Sequence, residues 1–296
     1  MRREAKNPTS PSRAKQAWHF RRFRRLTPNA SRLTGFTLIE LIVVMVVVGV
    51  LSGIVALFIQ KPLQGYLAAS RRAALVDAAD TALLRIARDA RGALPNSLRV
   101  TQSGGVTYLE YLPIQDGGRY RAAQTGAGSG DILDFTSGSD AGFDVLGPTV
   151  SAAAGQFIVV YNLGLDASSD AWQGGNRRTI TNTGTVSNLA FSATGSLLHL
   201  ESPNKRFYLA GAPVTYACNP AAGELRRISG YVLQSSQPTS FSGATSRLLA
   251  SHVATCSMSY DPGATQRLGQ LTLRIQLSQD GETVTLYREV VVNNDA

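Results

Sequence analysis

The stretch Gly35-Phe-Thr-Leu-Ile-Glu-Leu-Ile-Val-Val-Met-Val-Val-Val-Gly-Val-Leu-Ser-Gly-Ile-Val-Ala-Leu-Phe-Ile59 decides how the chain is organised. From Leu41 to Ile59 it carries no charge, and roughly 20 apolar residues in a helix suffice to span the hydrocarbon core of a bilayer. A single carboxylate, Glu40, stands at its start. A carboxylate within a membrane costs about 2.5–3.5 kcal/mol unless something satisfies it, so its presence there implies a task. On the N-terminal side, ten basic residues precede Phe36 (Arg2, Arg3, Lys6, Arg13, Lys15, Arg21, Arg22, Arg24, Arg25 and Arg32) against Glu4 alone, a net charge of +9. The whole chain of 296 residues also carries +9. The excess therefore lies entirely before Phe36, and the rest is balanced, with 19 basic and 19 acidic residues.

That partition has a topological meaning. A basic segment directly before an apolar span stays in the cytoplasm, which places the C-terminal part outside it. A secretory signal peptide would have a shorter apolar core followed by its cleavage site. Here the plausible site, after Gly35, precedes the apolar run, so cleavage leaves the membrane helix on the mature protein. Residues 1–35, with Pro8, Pro11, Pro28 and many Ser, Asn and Arg, read as a basic leader that is removed. The run Trp18-His-Phe-Arg-Arg-Phe-Arg-Arg-Leu26 has the composition of a nucleic-acid patch, but membrane topology accounts for the same charge, and no nucleic-acid partner is expected.

The residues Gly35-Phe36-Thr37-Leu38-Ile39-Glu40 resemble the cleavage and methylation motif of type IV prepilins and type II secretion pseudopilins. The resemblance implies that a prepilin peptidase cleaves between Gly35 and Phe36 and that the new amine of Phe36 is methylated. It also implies that Glu40 of one subunit reaches the Phe36 amine of its neighbour in a filament. Elementary chemistry agrees. Glycine offers no side chain to obstruct an extended backbone in a protease cleft. A free amine and the partial positive charge of a helix N-terminus both favour a nearby carboxylate.

Beyond the apolar run the pattern stays helical, with Pro62 interrupting it, since a proline deletes a helix hydrogen bond and bends the axis. From Leu63 the apolar positions Val76, Ala79, Leu83, Ile86, Ala90 and Leu94 recur at three- and four-residue steps, one stripe of an amphipathic helix. Arg71, Arg72, Asp77, Asp80, Arg85, Arg88, Asp89 and Arg91 fall between them. Arg85 and Asp89 are four apart and can pair, worth a few tenths of a kcal/mol at about this spacing. Gly92 and Pro95 end the helix. The expected parts are a leader over 1–35, a membrane or filament-core helix over 36–61, an amphipathic helix over 62–95 and a β-rich globular domain over 96–296. This is an α+β, type IV pilin-like layout.

In the last part the period changes. Val106–Leu112, Asp131–Phe135, Gln156–Tyr161 and Lys205–Leu209 are short, β-branched or aromatic, and bounded by Gly, Ser and Asn, so they read as strands. Leu271, Leu273, Ile275 and Leu277 alternate with polar residues, Asp280-Gly281 turns, and Val284, Leu286 and Val290 return. An Asp-Gly between alternating apolar runs is a strong hairpin signal. The Gly-, Ser- and Ala-rich segments 115–155 and 163–190 predict long loops, with no second-domain linker.

No catalytic constellation stands out, and no enzyme, cofactor or metal is expected. His19, His199 and His252 are isolated from one another. His252 and Cys256 are four apart, a spacing compatible with a Cys-His nucleophile. However, Cys218 and Cys256 are the only cysteines and both follow the apolar span. An even, low count in an oxidising compartment reads as one disulfide, which would consume the thiol; two buried free thiols are the alternative. Asp140 with Asp144, or Asp166 with Asp170, offer loop carboxylates to calcium, but their spacing matches no established calcium loop, and solvated surface carboxylates are the preferred reading.

Arg71-Arg-Ala-Ala-Leu-Val-Asp-Ala-Ala-Asp80, Arg88-Asp-Ala-Arg-Gly-Ala-Leu-Pro-Asn-Ser97, Tyr216-Ala-Cys-Asn-Pro220 and Ala254-Thr-Cys-Ser-Met-Ser-Tyr-Asp-Pro-Gly263 are similar to minor pilins of the mannose-sensitive haemagglutinin type. This resemblance implies a low-abundance subunit that helps start or cap a pilus. It implies first residence in an inner membrane, N-terminus cytoplasmic and globular domain periplasmic, and later display in a pilus at the cell surface. The implied partners are the prepilin peptidase, other minor pilins, the major pilin, the inner-membrane assembly platform, and membrane lipid before assembly. A type II secretion pseudopilin, and a tethered enzyme or binding protein, remain open alternatives.

Overall fold

The computed structural model describes residues 35–193, 198–263 and 267–296. The expected leader, with Arg2 to Arg32 and His19, lies outside the described residues but for Gly35. The chain divides into two compact units, Met1–Ile59 and Gln60–Ala296. One helix, α1 (Leu38–Arg91, 54 residues), runs through the boundary between them. It continues through Pro62 without a break, which corrects the expected interruption. Proline costs the helix one hydrogen bond at this point, and the exposed neighbouring carbonyls have solvent or other surroundings to turn to. The helix stops at Arg91, where the Gly92 amide donates to the carbonyl of Arg88 at 3.3 Å.

Burial on α1 begins at Leu75 and takes in Ala79, Ala82, Leu83, Ile86, Ala87 and Ala90. Val76, expected on this stripe, is instead 39% exposed, and Leu75 takes the buried position there, while Ala79, Leu83, Ile86, Ala90 and Leu94 are buried as expected. Four of the seven buried residues are alanines, which let the helix backbone lie close on the sheet beneath it.

Among the described residues there are sixteen strands, the last two the longest. In chain order they are β1 (Arg99–Ser103), β2 (Val106–Tyr111), β3 (Ile114–Tyr120), β4 (Gly142–Leu146), β5 (Val150–Ala152), β6 (Phe157–Val159), β7 (Arg177–Thr179) and β8 (Gly184–Val186). There follow β9 (Asn188–Ala190), β10 (Arg206–Ala210), β11 (Val214–Asn219), β12 (Glu224–Ser229), β13 (Thr245–Ser251), β14 (Val253–Asp261), β15 (Leu268–Gln279) and β16 (Glu282–Asn293). They form a five-stranded sheet β1-β2-β11-β12-β13, a six-stranded sheet β7-β6-β10-β3-β4-β9, a three-stranded sheet β14-β15-β16 and the pair β5-β8. The fold is α+β and type IV pilin-like in layout: a long apolar N-terminal helix followed by a β-rich domain.

The helix stripe packs on inward residues of two sheets, among them Leu109, Tyr216 and Leu225 of the five-stranded sheet and Leu271, Leu273 and Ile275 of the three-stranded one. A second core, built around Tyr120, Phe143, Ile158, Phe207 and Leu209, belongs to the six-stranded sheet. The hairpin β15-β16 turns at Asp280-Gly281, with φ of 49° and 85°, the left-handed geometry that the Asp-Gly pair supplies.

Two sequence expectations need correction. Residues 131–135 are irregular, not a strand. The carboxylates of this loop bind backbone instead: Asp134 accepts from the Thr136 amide at 2.7 Å, and Asp140 accepts from the Asp134 amide at 2.8 Å. The segments 115–155 and 163–190 are not plain loops, since they hold most of β3 and all of β4, β5, β7, β8 and β9. In β3 the two glycines would weaken a strand alone, but Tyr208 of β10 lies opposite Gly117 and Phe207 opposite Gly118. An added Cβ would lie 3.3 Å from the Tyr208 ring at Gly117 and 3.2 Å from the Phe207 ring at Gly118. The aromatic rings on the partner strand fill the space the glycines leave.

Candidate membrane and assembly segment

Thr37 begins the site. Its hydroxyl accepts from the Glu40 amide at 3.3 Å, and its carbonyl accepts from the Leu41 amide at 3.2 Å. Thr37 is thus the N-cap, and Thr-Leu-Ile-Glu has the spacing of a capping box. Sequence reading assigned Glu40 by its charge and passed over this cap, although the Thr-x-x-Glu spacing was there to be seen. Among the described residues the Glu40 carboxylate has no hydrogen-bond or ion-pair partner. Phe36, four positions before it, is 82% exposed.

Every residue from Gly35 to Leu67 is exposed. Burying a Val, Leu, Ile or Phe side chain is worth about 1.5–3 kcal/mol, so a helix this apolar on all faces does not stay in water. Its length and composition suit a membrane crossing. At Gly35 an added Cβ would meet nothing within 4 Å. Packing among the described residues therefore does not require glycine there. Gly49 and Gly53 also open on empty space, at a cost in helix propensity of about 1 kcal/mol each relative to alanine.

The globular part contains its own polar anchors. Asp89 of α1 accepts from the hydroxyls of Tyr216 at 2.6 Å and Tyr111 at 2.9 Å. It also pairs with Arg85 and Arg227, each at 3.3 Å. Burial raises the pKa of this carboxyl, but the two tyrosine hydroxyls and the two arginines together outweigh it and hold it below the ordinary value. The sequence showed only the Arg85–Asp89 spacing; the other partners come from strands far along the chain. Glu110, fully buried on β2, pairs with Arg99 at 2.6 Å and accepts from Tyr231 at 2.7 Å. Burial outweighs these partners and pushes its pKa up.

Cys218 on β11 and Cys256 on β14 are bonded, with Cα atoms 6.5 Å apart, so one covalent link joins the five-stranded to the three-stranded sheet. His252 Nδ1 lies 3.0 Å from the Ser251 hydroxyl rather than beside a free thiol. The loop carboxylates are engaged locally. Asp144 pairs with Arg121 at 3.1 Å, and Asp166 accepts from Ser168 and Ser169. Asp140 and Asp170 accept amides of their own loops.

Residues 31–56 match the family model of the prokaryotic N-terminal methylation motif. The chain carries a prepilin-type signal. No curated protein and no solved structure matches the chain. The prepilin-type signal supports a type IV pilin-like or pseudopilin subunit, a class that is structural rather than catalytic. It implies processing by a prepilin peptidase and assembly with other pilins, and the apolar helix it opens is consistent with membrane anchoring.

Proposed function

We propose that this chain is a minor pilin of a type IV pilus, similar to MshO of the mannose-sensitive haemagglutinin system. The prepilin peptidase removes residues 1–35, the amine of Phe36 is methylated, and the subunit waits in the inner membrane with residues 36–61 as its anchor. The amphipathic part, residues 62–95, and the β-rich domain over 96–296 lie in the periplasm. The subunit then enters the filament through the assembly platform, with Glu40 beside the Phe36 amine of its neighbour, and helps to start or cap the pilus with other minor pilins and the major pilin. The Cys218–Cys256 bond serves as a structural brace of the exported domain.

The observation that carries this reading is the fully exposed helical segment opened by Gly35-Phe36, with Glu40 at its start and no charge from Leu41 to Ile59. Lipid can cover such a helix before assembly, and the like helices of other subunits can cover it afterwards. Deleting the gene should sharply reduce surface pili while leaving type II secretion of exported enzymes intact. Loss of that secretion with pili unchanged would make the chain a pseudopilin instead.

A further inference from the structure

In the register of β3 with β10, Arg119 lies directly opposite Arg206. Opposed residues on antiparallel strands hold their Cβ atoms about 4.5–5.5 Å apart, and like charges there are destabilising. Both arginines are exposed. The Arg119 guanidinium donates to the carbonyl of Asn204, with Nε 3.3 Å away. Among the described residues the Arg206 guanidinium has no hydrogen-bond or ion-pair partner, and neither arginine has an acidic one. Outside the described residues the sequence holds one acid, Glu4, in the expected leader. The contrast with Arg227 is informative: it too faces an arginine, Arg247, but Asp89 lies 3.3 Å from it.

The arginine pair lines a groove of about 500 Å³ whose floor includes Gly117 and whose wall includes Tyr208. The absent side chain at Gly117 leaves the ring of Tyr208 beside the groove. Asp116 also lines it, but its two carboxylate oxygens accept the amides of Gly117 and Ser151, both at 2.7 Å. β3 and β10 both lie inside their sheet, paired with each other from Arg206↔Arg119 to Leu209↔Asp116. The side chains along the groove offer an occupant two guanidinium groups, which match carboxylate or sulfate oxygens, and the half-buried ring of Tyr208, an apolar surface suited to a sugar ring.

We propose that this groove binds an acidic polysaccharide, with Arg119 and Arg206 on its anionic groups and Tyr208 against a sugar ring. The site is independent of the filament reading. Its test uses residues 36–296, which omit the basic segment and carry no net charge, in detergent micelles with hexagalacturonate as probe and maltohexaose as the neutral control. The wild type should bind the acidic hexamer, more weakly as salt rises, and should not bind the neutral one. Arg119→Gln and Arg206→Gln should each weaken binding by about tenfold, the loss of one charge-assisted contact. Arg274→Gln, an exposed arginine on β15, should leave it unchanged. The melting temperature of Arg206→Gln should stay the same or rise, because a like-charge contact has gone; a structural role for Arg206 would lower it, which would count against the proposal. Absence of binding by the wild type, equal binding of both hexamers, or full binding by the Arg119→Gln/Arg206→Gln double variant would overturn it. So would binding to vesicles containing phosphatidylglycerol that the same double variant abolishes while hexagalacturonate binding persists.

Discussion

Asp89 lies near the C-terminal end of α1, where the helix dipole disfavours negative charge. Two tyrosine hydroxyls and two arginines hold it there. Its role is to fasten the helix to the sheet, and Asp89→Asn should cost the folded domain about 2 kcal/mol, the range for hydrogen bonds to a charged group. The pH dependence follows from its depressed pKa. The charged form is stabilised by folding, so this contribution is complete above the unfolded carboxylate value of about 3.9. It is lost as pH falls through the lower folded value. Denaturant melts of wild type and Asp89→Asn should therefore differ at pH 6 and converge toward pH 2. Glu110, whose pKa is raised, has a dependence of opposite sign, so the comparison must be between variants at each pH. For Glu40 the proposed task is assembly. Glu40→Ala should leave leader cleavage largely intact and cut recovery of the subunit in sheared pili, measured by immunoblot against the membrane pool. Equal recovery would remove Glu40 from assembly.

At the scale of elements, the disulfide spans 38 residues of sequence and joins β11 to β14. For a loop of that length the chain-entropy model gives about 4 kcal/mol, an upper guide. Cys256→Ser should lower the melting temperature of the domain by about 5–15 °C, measured by calorimetry, and alkylation of denatured wild type without reductant should label no thiol. Part of this architecture was legible beforehand. The α1 stripe and the closing hairpin announce themselves by local period, because one face of each meets a core and the other does not; β2, buried on both faces, and β10 show instead in their β-branched and aromatic residues. The strands inside 115–155 and 163–190 do not. β5, β7, β8 and β9 are three residues long, too short for a period to show. β3 owes its strand conformation to Tyr208 and Phe207, some ninety residues away. Asp89 and Glu110 were illegible as anchors for the same reason: Tyr216 and Arg227 lie 127 and 138 residues from Asp89, and Tyr231 lies 121 residues from Glu110.

At the scale of the molecule, two facts from the sequence and one from the structure converge. All the excess positive charge precedes Phe36, the next stretch is uncharged from Leu41 to Ile59, and every residue from Gly35 to Leu67 is exposed. The β-rich domain has its own cores and does not need that half of the helix to hold together. In the proposed function the apolar half passes from lipid to the helices of a filament. The Gly35–Phe36 junction is what would divide a cytoplasmic leader from a subunit fit to assemble. The most direct test is mass spectrometry of the N-terminal peptide of the protein purified from cells with a working prepilin peptidase. The account predicts a peptide that begins at Phe36 and is heavier by one methyl group on its amine. An intact leader, or a start beyond Ile59, would contradict it.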